Sequence, residues 1–214
     1  MNRGPRTEPA EAGKPQVDQT KTPAKEEPKP APETKKKLPP TLAQSVADQF
    51  SWRSIGPANM GGRITAIAVS EKDPSTWWAA TASGGLLKTT NDGNTFEHQF
   101  DKEATVSIGD VQVSASNPEI VWVGTGESNP RNSVSWGDGV YKSVDGGKTW
   151  KNMGLKDTFQ TGALAIHPKN PDVVWVGSLG RLWGPNPERG LFKTIDGGKT
   201  WKKVLFVNDT TGVI

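Results

Sequence analysis

TTNDGNTF (Thr89–Phe96), SVDGGKTW (Ser143–Trp150) and TIDGGKTW (Thr194–Trp201) are three versions of one pattern. Each runs through a hydroxyl residue, an aspartate or asparagine, a glycine-bearing turn, a threonine and an aromatic ring. The third position falls at Asn91, Asp145 and Asp196, so the period is 54 and then 51 residues. A repeat of that length, built from short strands, predicts an array or a propeller rather than one compact sandwich.

Working outward from each copy, the same four strands recur. An apolar strand comes first: Arg63–Ser70, Ile108–Ala115 and Gly162–Pro168. A proline-bearing turn (EKDPS, SNPE, HPKNPD) leads to a strand centred on tryptophan: Thr76–Ala82, Ile120–Gly126 and Val173–Leu179. A third strand opens on glycine at Gly85, Gly139 and Gly190 and runs into the repeated turn; the fourth begins at its aromatic. Such runs, broken by Pro/Gly/Asn turns, are strand signals, and no segment carries a capped helical period. Four strands per ~50 residues describe a propeller blade.

The expected fold is therefore all-β: a β-propeller with about three four-stranded blades present and the ring incomplete, as in an N-terminal fragment of a longer protein. The blades fall at about 63–100, 108–154 and 162–206, with the start of a fourth at 209–214, all within a partial propeller over 50–214. Phe50–Gly62 reads as an outer strand without a blade of its own.

Residues 1–45 have a different composition. They hold nine of the 17 prolines, none of the nine tryptophans, and nine Lys/Arg against six Asp/Glu. With nothing to bury, this segment is expected to be a disordered Pro/Lys/Glu-rich tail. Its charge excess equals the whole chain's net +3, so the folded part is balanced and no nucleic-acid partner is expected. No apolar run approaches the ~18 residues of a membrane span, and no signal-peptide core is visible in this chain. The absence of cysteine rules out disulfides and thiolate metal sites.

The turn pattern [ST]-x-D-x-G-x-T-[WF] resembles the Asp box, or BNR repeat, of sialidases, xyloglucanases and sortilin-type receptors. The resemblance covers Phe50–Ile214, and two copies match at every defined position. Its chemistry is structural. Asp145 and Asp196 can accept the amides that follow, with Asn91 as a weaker substitute. Gly93, Gly147 and Gly198 suit the turn, and Ser143 and Thr194 begin it. Phe96, Trp150 and Trp201 each carry large apolar surface, about 200 Å² for a buried tryptophan. Resembling families keep these turns at the periphery, away from the active face.

The opposite face is then the place for a site, because it carries the loops between second and third strands. The first blade has only Ser83-Gly84, whereas the second has Glu127–Asp138 and the third Gly180–Arg189. Long loops on a rigid scaffold commonly carry function. Arg131, Trp136, Arg181 and Trp183 on these loops, with Arg63 at the start of the first inner strand, are the candidate ligand-binding residues. Indole rings offer stacking faces, and guanidinium groups fork onto carboxylates. Asp110 on an inner strand and Glu127 are the candidate catalytic carboxylates. The lone histidines, His98 and His167, have no metal-ligand spacing around them, and no metal or cofactor is expected.

Two functions follow from the resemblance. GGRI, GTGE-S-NPRNS and GDGVYKS are similar to large bacterial proteins grouped with sortilin's N-terminal propeller and often labelled glycosyl hydrolase. That implies a non-catalytic scaffold for protein, peptide or carbohydrate ligands, in an extracellular or periplasmic setting. The alternative is a sialidase- or xyloglucanase-like glycoside hydrolase acting on extracellular polysaccharide or glycoconjugate. Xyloglucanase-like families place a catalytic aspartate where this chain has Ala82. The single tyrosine, Tyr141, lies inside a strand rather than in the position of a sialidase nucleophile.

Overall fold

The structure, a computed structural model, describes residues 62–214. The tail expected over 1–45 lies outside the described residues. So does the strand expected over Phe50–Gly62, except Gly62 itself, which is not in a strand.

The described residues form three four-stranded antiparallel sheets, each a simple up-and-down meander. The first holds β1 (Ile64–Val69), β2 (Trp77–Thr81), β3 (Leu86–Thr89) and β4 (Glu97–His98). The second holds β5 (Ile108–Val113), β6 (Val121–Thr125), β7 (Val140–Ser143) and β8 (Lys151–Asn152). A 3-10 turn at Lys156–Thr158 leads to β9 (Thr161–His167), β10 (Asn170–Ser178), β11 (Gly190–Thr194) and β12 (Lys202–Leu205). β5 packs on β1 and β2, and β9 packs on β5 and β6, so the sheets stack in chain order as blades of a partial β-propeller.

Two details differ from the sequence reading. The turn over HPKNPD is tighter than its prolines suggest. β10 already starts at Asn170 and carries Pro171 through an irregular stretch where no ladder hydrogen bond needs its missing N–H. Asp209–Ile214, expected to begin a fourth inner strand, is turn and extended chain, with the Val213 amide donating to the Ser178 carbonyl at 3.0 Å.

One apolar layer lies between the first two sheets and another between the second and third. Trp78, Leu86, Phe100, Ile108, Val111 and Tyr141 fill the first. Trp122, Val140, Leu164, Val174 and Phe192 fill the second. The strand of the middle sheet that lies between them, β6, is buried at all five residues. By contrast, Ile67 is 58% exposed, although its register equivalents Val111 and Leu164 are buried against a preceding sheet.

The repeated turns position the layers. The Ser143 hydroxyl donates to Asp145 at 2.7 Å and accepts the Gly147 amide at 2.8 Å. The Asp145 carboxylate also accepts the hydroxyl and amide of Thr149, at 2.6 and 2.9 Å. Thr194, Asp196, Gly198 and Thr200 repeat this network bond for bond. Asn91 keeps the shape with one bond reversed: its oxygen accepts from Thr89 and the Thr95 amide, while its nitrogen donates to the Thr95 hydroxyl. Gly147 and Gly198 sit at φ near +90°, and a Cβ on Gly198 would lie 2.8 Å from the Trp122 ring.

The turn aims its aromatic at the preceding sheet. Trp150 meets Phe100 edge-on at 5.3 Å, and Trp201 meets Trp122 at 6.1 Å while its indole donates to the Met153 carbonyl at 2.7 Å. Phe96, in the first sheet, instead packs on Trp77 of its own sheet and stays 43% exposed.

A second device works beside it. Lys88, Lys142 and Lys193 pair across the ladder with Trp78, Trp122 and Trp175, and each ammonium lies about 5 Å from its ring centroid. Lys88 then donates to the Gly146 carbonyl of the next sheet at 2.9 Å, and Lys142 pairs with Asp172 of the next at 3.2 Å.

Trp201→Ala is expected to cost about 3–5 kcal/mol by urea unfolding, as a core truncation, and the outward-facing Phe96→Ala markedly less. The Thr149 hydroxyl and amide hold the Asp145 carboxyl down to about 2. A depressed carboxylate stabilises the fold above its unfolded value of about 3.9, and that contribution is lost as pH falls through about 2. Asp145→Asn should therefore lower stability at neutral pH and flatten its decline between about pH 4 and 2; an unchanged acid profile would count against the charged turn.

Candidate ligand-binding face

The loops between second and third strands share a neck chemistry, which explains how very different lengths are accommodated. In the first sheet Thr81 Oγ1 donates to the Gly85 carbonyl at 2.8 Å and accepts the Gly84 amide at 2.7 Å. Thr125 Oγ1 repeats this with the Gly139 carbonyl and the Asp138 amide, closing the base of the 12-residue loop that begins at Glu127. In the third sheet Ser178 Oγ donates to the Glu188 carbonyl at 2.7 Å.

Arg189 fastens the third loop from inside. Its guanidinium donates to the carbonyls of Leu179, Arg181, Gly184 and Asp209, and the residue is almost fully buried. It therefore serves backbone, tying the loop to its base at Leu179 and to the Asp209 segment that follows β12. Glu188, at the end of this loop, pairs with Lys203 at 3.2 Å.

The candidate carboxylates are both committed to the protein. Asp110, buried on β5, accepts its neighbour Val111's amide at 2.8 Å and the Leu164 amide of β9 at 2.6 Å. It joins the inner strands of two sheets. Burial nevertheless pushes its carboxyl above the usual range, against the pull of those amides. Glu127 is fully buried, and Arg63 forks onto it from the first sheet, Nε at 2.7 Å and Nη2 at 2.5 Å. Arg63 keeps about a third of its side chain exposed and lines a cavity of about 490 Å³ with Thr81, Ser83, Gly84, Leu87 and His98. Asp138 holds the Tyr141 hydroxyl at 2.8 Å, Asn152 at 3.0 Å and Lys156 at 3.4 Å.

Between the two long loops, Trp136, Phe159 and Arg181 form one cluster. Trp136 is 56% exposed and meets Phe159 edge-on at 5.2 Å. The Arg181 guanidinium lies 4.6 Å from the Phe159 centroid and 5.5 Å from that of Trp136. The Gly137 amide fixes the pair by donating to the Phe159 carbonyl at 2.7 Å. That carbonyl lies so near Gly126 that a Cβ there would sit 1.9 Å from it. Phe159 itself has φ +57°, a costly conformation for a residue with a large side chain.

Of the residues singled out from sequence, the structure thus joins Trp136 with Arg181 and Arg63 with Glu127. Arg131 and Trp183 are exposed on the same two loops, Trp183 at 73%, and neither joins the aromatic cluster. Phe159 was not singled out, because it lies in the KDTFQ connection between two sheets. Of the histidines, His167 Nδ1 accepts the Lys169 and Asn170 amides, and His98 is exposed 3.9 Å from Asp101. Ala82 is buried beside the short first loop. Among the described residues, no helix is long and apolar enough to cross a membrane.

No protein-family model matches this sequence, and no curated protein matches it. Solved structures do. An ancestral GH74 enzyme is similar over 73% of this chain and 20% of its own, at 19% identity and a TM-score of 0.57. The GH74 xyloglucanase from Xanthomonas campestris is similar over 72% of this chain and 22% of its own, at 20% identity and a TM-score of 0.52. YCF48 from Cyanidioschyzon merolae aligns over 71% of this chain and 40% of its own, at 20% identity and a TM-score of 0.47, too low to argue from. The likeness to the GH74 structures is one of fold, that of the β-propeller. The chain spans about a fifth of their length.

Proposed function

We propose that the chain is part of an Asp-box propeller of the sortilin-like kind, acting as a non-catalytic scaffold for a protein, peptide or carbohydrate ligand. The observation that carries this reading is the state of the carboxylates on and beside the loop face. Glycoside hydrolysis requires two carboxyl groups free to face the scissile bond, about 5 Å or 6.5–9.5 Å apart according to mechanism. Asp110 is occupied by two amides, Glu127 by Arg63, Asp138 by Tyr141, Asn152 and Lys156, and Glu188 by Lys203. Asp157 is exposed and in no ion pair among the described residues, a single carboxylate rather than a facing pair; the two indole rings and Arg131 are also exposed, and the Arg181 guanidinium is half-buried against two rings.

The hydrolase alternative draws on the GH74 likeness, but at these identities a shared fold carries many activities. Ala82, where the resembling xyloglucanases carry an acid, has no acid or base chemistry. By family resemblance the setting is extracellular or periplasmic.

Purified protein screened against aryl-glycosides and polysaccharides is expected to give no turnover, while glycan and peptide arrays retain it. Trp136→Ala and Trp183→Ala should weaken captured ligands about tenfold or more with an unchanged melting curve. Turnover abolished by Asp110→Asn or Glu127→Gln would overturn the reading.

A further inference from the structure

We infer that the Trp136–Phe159–Arg181 cluster is a subsite for a hexuronate residue of an acidic glycan, the carboxylate taken by Arg181 and the pyranose ring by an indole face. The inference rests on the ligand-binding reading above and narrows it to one chemistry.

Charge supports the carboxylate. Among the described residues Arg181 forms no ion pair, although three acidic side chains of the two long loops are paired with Arg63, Lys156 and Lys203. Asp157, two residues before Phe159, also makes no ion pair with Arg181. What holds the guanidinium is the faces of two rings, and its Nε is buried with no hydrogen-bond partner. A guanidinium stacked in this way is fixed in its plane while keeping its charge, and its edge matches a planar carboxylate in a fork.

Shape supports a sugar. Trp136 remains more than half exposed even with Phe159 against its edge, and Trp183 on the neighbouring loop is nearly three-quarters exposed. A pyranose ring presents an apolar C–H face to such an indole, and its equatorial carboxylate lies at the rim, where Arg181 waits. The Gly137 amide on the Phe159 carbonyl and the Trp136 ring hold Phe159 under Arg181 before any ligand arrives, which reduces the ordering cost of binding.

The test is calorimetric titration of the full chain with tetragalacturonate, with the neutral cellotetraose and with a peptide bearing a free C-terminal carboxylate. Tetragalacturonate should bind, weaken in high salt, and lose about tenfold or more in Arg181→Gln. Arg181→Lys should recover only part, because an ammonium cannot fork. Undiminished tetragalacturonate affinity in Arg181→Gln, or none in the unaltered chain, overturns the subsite. If cellotetraose or the peptide binds in a Trp136-dependent way while tetragalacturonate does not, the subsite fails and the broader binding reading stands. Should Arg181→Gln fail to fold, the salt dependence and Arg181→Lys still decide the matter.

Discussion

The second and third sheets are each held to the sheet before by a turn that a single carboxylate closes, whereas the amide-closed turn of the first leaves its Phe96 on its own sheet. The Asp145 and Asp196 oxygens gather a hydroxyl, an amide and a second hydroxyl into one small ring of bonds. That ring fixes the direction in which the next residue leaves, and the next residue is a tryptophan pointed into the preceding sheet. The hydrogen bonds themselves are exposed and individually modest. Their importance lies in aiming a side chain whose burial contributes far more than the turn does.

This arrangement separates labour between the two ends of the sheets. At one end, the hydroxyl, carboxylate and amide groups of the repeated turns bond to one another and serve the stack. At the other, the loops differ in length while a hydroxyl, of Thr81, Thr125 or Ser178, bonds a backbone carbonyl at each neck. A hydroxyl-closed neck under loops of unlike length allows loop chemistry to differ between sheets without disturbing them. The ion pair of Arg63 with Glu127 and the amide clamp on Asp110 lie between these regions and cross from one sheet to the next. Both carboxylates look catalytic as bare residue types, and each has its hydrogen-bond partners within the protein.

The fold was largely legible because its signal is periodic: Asn91, Asp145 and Asp196 count the sheets, and tryptophan-centred strands lie between them. The lysines over Trp78, Trp122 and Trp175 were equally periodic, in the KTT, KSV and KTI segments, yet their contact depends on cross-strand register that sequence alone does not state. The site was legible only in part. Trp136 and Arg181 stood out on long loops, but the ring that joins them, Phe159, belongs to an inter-sheet connection with no repeat to mark it. The fate of Asp110 was hidden for a related reason: its partner is the backbone amide of Leu164, 54 residues away, and backbone groups leave no trace in a residue pattern.

The tryptophans of the repeated turns pack between the sheets, whereas those of the loops stay exposed, Trp136 at 56% and Trp183 at 73%. Amide hydrogen exchange of Trp150→Ala and Trp136→Ala, followed over β1 to β8, tests this contrast most directly. Faster exchange is expected across the first and second sheets in Trp150→Ala, with unaltered protection there in Trp136→Ala. Equal loosening of those sheets by Trp136→Ala would contradict it.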